Sequence, residues 1–267
     1  MNIRLRVLGA YAATPRRLAN PSSQYLHLDH HRFLIDCGEG TQKSLRECGV
    51  NLLGIQAVFI SHLHGDHFYG LPGFIATQNS LKRTDPLTVF GPKGIKELVT
   101  LILKSSDSWT RFPLHFYEFE GETSQVVFDN ERLRVRTIPL VHRIYTRGFL
   151  FESNVDNSWH KIYAYCSDTQ FLPGLADLLQ GVFILYHEAT FLESEAFLCE
   201  RTKHSTAKQA GEIAALAGVN SLILGHYSTR YKNLEDFITE ASMSFKKESI
   251  FLADDHKLFE FTWPQKI

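Results

Sequence analysis

Ala57-Val58-Phe59-Ile60-Ser61-His62-Leu63-His64-Gly65-Asp66-His67 starts as an apolar run and ends in a dense cluster of histidine and aspartate. The first four residues read as a short strand of the buried kind, which would deliver the cluster to a strand end. Imidazole and carboxylate suit zinc well and are acceptable for manganese or iron. Burying His62, His64, Asp66 and His67 together without a charge to bind would be costly, so the H-x-H-x-D-H spacing points to a metal centre. Gly65 is expected to give this loop the tight course that brings successive side chains to one centre.

One loop cannot fill the coordination spheres of two ions, so further ligands are expected at other strand ends. His142 follows a strand-like stretch ending near Leu140, Asp168 follows Ile162 to Tyr165, and His226 follows Leu222-Ile223-Leu224-Gly225. An aspartate so placed can bridge two cations about 3.5–4 Å apart, a spacing that suits a phosphoryl centre. His187-Glu188-Ala189-Thr190 follows a strand expected at 182–186, and His204-Ser205-Thr206 precedes an alanine-rich helix. Ser205 or Thr206 would cap that helix. His204 has no such local role, and a Glu–His pair near the metals could hold a proton donor. Ser228 and Arg230, just past His226, have the chemistry of a phosphate clamp, and Arg230 is equally suited to pairing with a surface carboxylate.

The rest of the chain supports one globular α+β unit. It has 267 residues, 44% hydrophobic and 21% charged, enough to bury a substantial core. Strands are expected at 3–8, 25–36 (a hairpin turning at Asp29-His30-His31), 57–60, 87–90, 133–138, 148–152, 161–165, 182–186 and 221–224. Helices are expected at about 41–48, 72–81, from 92 or 93, at 206–217 and at 234–243. Ala207, Ala210, Ile213, Ala214 and Ala217 fall on one stripe of the fourth helix. Strand-rich and βα-rich stretches imply two packed sheets with helices outside, in halves related by pseudo-symmetry.

Lys plus Arg number 28 against 29 Asp plus Glu, so no global field draws in nucleic acid and a polyanion must be gripped locally. Lys82, Arg83, Arg143 and Arg147 are candidates for such contacts or for solvated surface. The four cysteines form no C-x-x-C pair, which argues against a cysteine zinc knuckle. No stretch has the length of a membrane span and the N-terminus has no signal-peptide core, so a cytoplasmic protein with no membrane partner is expected.

With these residues placed, the sequence resembles the ribonuclease Z family, tRNA 3′-processing endonucleases of the metallo-β-lactamase superfamily. The likeness runs through Asn20 to Gln24, Phe33 to Gln42, Ser61 to Gly73, Val89 to Gly94, Ser167-Asp168-Thr169, His187 to Thr190, His204 to Thr206 and His226 to Tyr231. It implies a metallo-β-lactamase fold over residues 1–267, a four-layer αββα sandwich with two central mixed sheets and outer helices. It also implies two zinc ions per subunit. His62, His64 and His142 would hold one, Asp66, His67 and His226 the other, and Asp168 would bridge them. Asp66 would accept the proton of the attacking water, Glu188 and His204 would assist the leaving ribose oxygen, and Asp36 and Thr169 would support the ligands. The family implies a homodimer cutting precursor tRNA to a 3′-hydroxyl and a 5′-phosphate.

The chain departs from the family at Gly148 to Asp168, which leaves room for a hairpin and no tRNA-gripping arm. The first loop, Gly9-Ala10-Tyr11-Ala12, departs from the Gly-Thr/Ser-Gly-Ala of the family, and Ser167 stands where a glycine is usual. The competing expectations are a phosphodiesterase for small or other nucleic-acid esters and a non-catalytic nucleic-acid-binding protein.

Overall fold

The computed structural model describes residues 1–15, 17 and 19–263. The chain divides into two compact units, Met1–Glu120 with Asp254–Ile267 and Gly121–Ala253. Each is built on a seven-stranded mixed sheet.

The first unit contains β1 (Asn2–Gly9), β2 (Ser23–Leu28), β3 (His31–Cys37), α1 (Thr41–Glu47), β4 (Ala57–Phe59), α2 (Gly65–Phe68), α3 (Leu71–Ser80), β5 (Leu87–Pro92), α4 (Ile95–Ser105) and β6 (Leu114–Phe119). The second contains β7 (Val126–Asp129), β8 (Leu133–Val141), β9 (Tyr145–Val155), β10 (Ser158–Cys166), α5 (Leu175–Leu179), β11 (Ile184–Glu188), α6 (Cys199–Thr202), α7 (Ala207–Leu216), β12 (Ser221–Gly225), α8 (Glu235–Ala241) and β13 (Ile250–Leu252). The last strand, β14 (Leu258–Thr262), returns to the first unit and pairs antiparallel with β1.

Sheet order is β14-β1-β2-β3-β4-β5-β6 in the first unit and β13-β12-β11-β10-β9-β8-β7 in the second. Pairing is antiparallel from β14 to β3 and parallel from β3 to β6. The second sheet repeats this, antiparallel from β7 to β10 and parallel from β10 to β13. Parallel strands are buried on both faces and read as apolar runs, as Ala57-Val58-Phe59 and Leu222-Ile223-Leu224 do.

In the first unit, Leu34, Val58, Ile60 and Val89 from the sheet meet Leu45 of α1, Phe74 and Ile75 of α3, and Val99 of α4 in one apolar core. Truncating a fully buried phenylalanine such as Phe74 would cost about 3–5 kcal/mol. In the second unit the alanine stripe of α7 is fully buried as its spacing predicts. Gly211 on the same helix is fixed by space, because a Cβ there would meet the Ala241 carbonyl oxygen of α8 at 2.4 Å.

Three expectations shift. The strand expected at 182–186 is observed at 184–188, because Val182 is held in a turn by the Leu179 carbonyl and the parallel ladder continues to Glu188↔Gly225. His187 and Glu188 therefore end the strand and do not follow it. Gly65 opens the one-turn helix α2, and its constraint is packing, since a Cβ there would lie 2.3 Å from the Tyr69 ring. Arg83 and Arg147 are buried, so neither is solvated surface or a phosphate contact. Arg83 donates to the carbonyls of Asp85 and Pro86, and Arg147 to those of Thr146 and Gly121. Lys82 and Arg143 are exposed.

Candidate metal centre

In the first unit the H-x-H-x-D-H run crosses from the end of β4 into α2, with His64 at the N-cap of the helix. Asp36, near the end of β3, is fully buried and organises the run from below. Its Oδ1 accepts the backbone N–H of Ser61 at 2.7 Å, and its Oδ2 accepts the Ser61 hydroxyl at 2.9 Å. The same Oδ2 lies 2.7 Å from His67 Nδ1, which must carry the proton, leaving Nε2 as the ligand atom. With its own proton given to Asp36, Ser61 Oγ accepts from His62 Nδ1 at 3.0 Å. His62 Nε2 and His64 Nδ1 then lie 3.0 Å apart, close to the spacing of about 3.3 Å for two nitrogens on a tetrahedral zinc. Asp66 Oδ2 accepts the backbone N–H of Ala13 at 2.8 Å and sits 3.5 Å from His67 Nε2.

In the second unit the ligand-type side chains come from separate strand ends. His142, past β8, donates through Nδ1 to the Lys203 carbonyl at 3.0 Å and turns Nε2 to within 3.5 Å of Asp168 Oδ2. His226, past β12, has Nδ1 at 3.1 Å from Thr190 Oγ1 and Nε2 at 3.0 Å from Asp168 Oδ1. Each oxygen of Asp168 thus faces a different histidine, the disposition a bridging carboxylate needs. Asp168, His204 and His226 form a group able to hold an ion within this unit. In the first unit, His62 with His64 and Asp66 with His67 are two close pairs of ligand-type side chains.

These residues fit metal ions on their hydrogen bonding alone. His62, His67, His142 and His226 each spend Nδ1 on a hydroxyl, carboxylate or carbonyl partner, which fixes the ring and presents Nε2. Burial lowers the pKa of His142 against the pull of Asp168, keeping the ring in the neutral form that coordinates. The backbone is strained at three of these points. Asp36, Asp168 and His226 have φ of 54°, 54° and 59°, and each such non-glycine conformation costs about 1–2 kcal/mol.

Glu188 is buried without exposure and accepts from five groups. Oε1 takes the Thr169 N–H and His204 Nδ1, both at 2.8 Å, and Oε2 takes Thr190 Oγ1 at 2.6 Å and the N–H groups of Thr190 and Ser205. Burial pushes its pKa up, but the His204 charge and hydrogen bond prevail and hold it below the usual range. For His204 burial likewise works against charge, and Glu188 outweighs it, raising the pKa to about 9. Each group thus supports the charged form of the other. His187 is different: buried, its pKa lowered by desolvation, it donates Nδ1 to the Glu188 carbonyl as a core histidine.

Thr169 supports the dyad through its N–H and holds the Val141 N–H with its hydroxyl. Thr206 caps α7 in a capping box with Gln209. Arg230 donates Nε to Ser228 Oγ at 3.1 Å and pairs with Glu195, the carboxylate-pairing alternative read from the sequence. Ser61, Thr190 and the Lys203 carbonyl orient ligands without having been singled out for it. The two hydroxyls lie inside the quoted motifs, and the carbonyl has no sequence signal at all.

The family model described as "Anti-Pycsar protein Apyc1" matches residues 3–251. Ribonuclease Z of Porphyromonas gingivalis is 35% identical over 286 positions, covering 91% of this chain and 94% of that protein. The chain belongs to this ribonuclease Z-like family. Among solved structures, human tRNase Z, short form (ELAC1), superposes with a TM-score of 0.82 at 27% identity, covering 96% of this chain and 98% of that one. The metallo-β-lactamase fold protein YhfI from Bacillus subtilis gives 0.81 at 18% identity, with 98% and 100% covered. The fold is thus an α+β metallo-β-lactamase fold with two central mixed sheets flanked by helices, and the ribonuclease Z-like chain is a metal-dependent hydrolase of the phosphodiesterase/ribonuclease kind. The alignment of 286 positions exceeds the 267 residues here, so the Porphyromonas protein carries residues this chain lacks. In the interval expected to hold a hairpin and no arm, β9 turns into β10 through Asp156 and Asn157 alone, with φ of 51° and 60°, a two-residue turn of type I′. No helix among the described residues is long and apolar enough to cross a membrane.

Proposed function

We propose that the chain is a two-zinc endoribonuclease that trims the 3′ end of precursor tRNA, working as a single domain over residues 1–267 in a cytoplasmic homodimer. His62, His64 and His142 would hold one cation and Asp66, His67 and His226 the other, with Asp168 shared. Manganese or iron would also suit this mixed nitrogen–oxygen set. The ions, when bound, supply positive charge to the phosphoryl group and activate water near neutral pH.

The observation that carries the reading is the buried Glu188–His204 pair, 2.8 Å apart. A hydrolase acting on activated esters needs no proton donor, whereas departure of a ribose oxygen does. Glu188 fixes His204 Nδ1 and keeps the ring protonated, so Nε2 can deliver a proton to the leaving 3′-oxygen. Asp66, steadied by the Ala13 N–H, orients the attacking water and takes its proton. Ser228 and Arg230 would grip the phosphate, Arg230 exchanging Glu195 for the substrate. The products would be a 3′-hydroxyl and a 5′-phosphate.

The two-residue turn at Asp156-Asn157 and the net charge of −1 favour a second reading, a phosphodiesterase for small or other nucleic-acid esters. An end-resolved cleavage assay on precursor tRNA, with and without a zinc chelator, separates the two. Chelator-sensitive cleavage at the 3′ end is expected. Hydrolysis of bis(p-nitrophenyl)phosphate without precursor cleavage at high enzyme would select the second reading.

A further inference from the structure

A second feature of the first unit lies on its sheet, away from the histidine run. In the pairing register Arg4 stands opposite His27 and His27 opposite Arg32, one row across β1, β2 and β3. Arg6 stands opposite Tyr25 in the row two residues on. Residues two apart share a face, so all five side chains project to one side of the sheet. They line a cavity of about 290 Å³.

The arrangement is unfavourable for stability on its own. Directly opposed like charges destabilise a sheet, and here an imidazole lies between two guanidinium groups. His27 registers this, its pKa lowered by burial and further by Arg32 and Arg4, against the opposing pull of Asp29. Compensation is sparse. Arg4 Nε pairs with Glu260 at 2.8 Å, and Arg6 Nη1 donates to the His256 carbonyl at 2.9 Å. Neither Arg6 nor Arg32 has a carboxylate partner among the described residues. Arg4, Arg6 and Arg32 outnumber the nearby carboxylates of Glu260 and Asp29, which leaves the cavity positive.

We propose that this cavity binds the phosphate of a mononucleotide-sized ligand, at a site distinct from the metal centre. Guanidinium forks match phosphate oxygens in pairs, and several of them favour a dianion over a monoanionic carboxylate. The volume is near the lower end of small-molecule sites, about 300–1,000 Å³, too small for a duplex. The rings of Tyr25 and His27, tilted with centroids 6.4 Å apart, give an aromatic wall beside the charge. Arg32 precedes Asp36 by four residues of β3, about 13 Å along the strand, so the ligand would not reach the edge where the histidine run begins. The phosphate has two sources, a free nucleotide or the 5′ end of an RNA.

The test is calorimetric titration of the metal-loaded enzyme and of its Arg6→Ala/Arg32→Ala variant with AMP and with a 5′-phosphorylated oligoadenylate. Loss of one or two charge-assisted hydrogen bonds should weaken the ligand at least about tenfold in the variant, while hydrolysis of bis(p-nitrophenyl)phosphate stays unchanged. Tighter binding of AMP identifies a free nucleotide, and tighter binding of the oligomer an RNA end. Equal affinity in variant and parent for both probes overturns the proposal. Melting gives an independent readout: inorganic phosphate should raise Tm above chloride at equal ionic strength in the parent, and the single variant Arg32→Gln should melt no lower than the parent without ligand. A marked drop in the Tm of Arg32→Gln would assign the row a structural role and likewise sink the proposal.

Discussion

The two units run the same strand programme and distribute their chemistry differently. β3, β4 and β5 in the first correspond in sheet order to β10, β11 and β12 in the second. Each unit has a buried carboxylate that binds a hydroxyl and the Nδ1 of an imidazole directly. Asp36 holds Ser61 and His67, and Ser61 passes the contact on to His62. Glu188 holds Thr190 and His204, and Thr190 passes it on to His226. The first unit packs its metal-type side chains into a single loop after β4. The second spreads them over the ends of β8, β10 and β12. One design is local in sequence, the other depends on antiparallel and parallel strand pairing to bring distant residues level. The carboxylates also differ in setting: Asp36 holds the ring of His67, whereas Glu188 holds that of His204.

That contrast can be broken by substitution. The two oxygens of Asp168 face two histidines, so Asp168→Ala should cost on the order of 10⁴ in kcat/KM for bis(p-nitrophenyl)phosphate and lower the bound metal measured by atomic emission. A variant retaining full metal and activity would remove its bridging role. His204→Ala should lose about 10²–10⁴ on an RNA ester with its basic leaving oxygen and little on the p-nitrophenyl ester. Equal losses on both, accompanied by lost metal, would make His204 a ligand like its counterpart His67. Asp36→Asn and Thr190→Val leave every ligand in place and should cost about 10–100-fold in metal affinity, read by chelator competition. If only Asp36→Asn has an effect, the relay through Thr190 is idle and the parallel between the units is formal.

The smallest effect concerns Asp255, which ties the loop after β1 to the returning chain by accepting the N–H groups of Ala10 and Asn20. Burial raises its pKa from 3.8 to about 7, despite both hydrogen bonds. A carboxyl whose folded pKa is raised stabilises the fold below its unfolded pKa and loses that contribution as pH climbs through the folded value. Tm of the parent should therefore fall by about 3 °C more than that of Asp255→Asn between pH 4 and pH 8. Parallel Tm–pH curves would refute it.

The first unit's ligand-type residues were the more legible in sequence. Four ligand-type residues within His62–His67 declare themselves without reference to a fold, and the apolar run before them locates a strand end. His142, Asp168 and His226 were singled out because each follows a strand-like stretch, a weaker signal that needed three instances. Boundaries were less legible: whether Glu188 ends β11 or follows it depends on register with β12, a tertiary fact. Arg83 and Arg147 could not be separated from surface arginines, because their partners are backbone carbonyls and carbonyls have no sequence. The Arg4–His27–Arg32 row was invisible for the same reason, since adjacency across strands is set by pairing and not by spacing.

Nine residues of β10 separate the Asp156-Asn157 tip from the edge that carries Asp168. At about 3.3 Å per residue the tip stands some 30 Å away, at the opposite end of the same strand. Anything spliced there would act as a ruler with its zero at Asp168, engaging a long substrate only if that substrate reaches beyond 30 Å. Here the tip is two residues long, so the hairpin ends in its own turn and carries no such ruler.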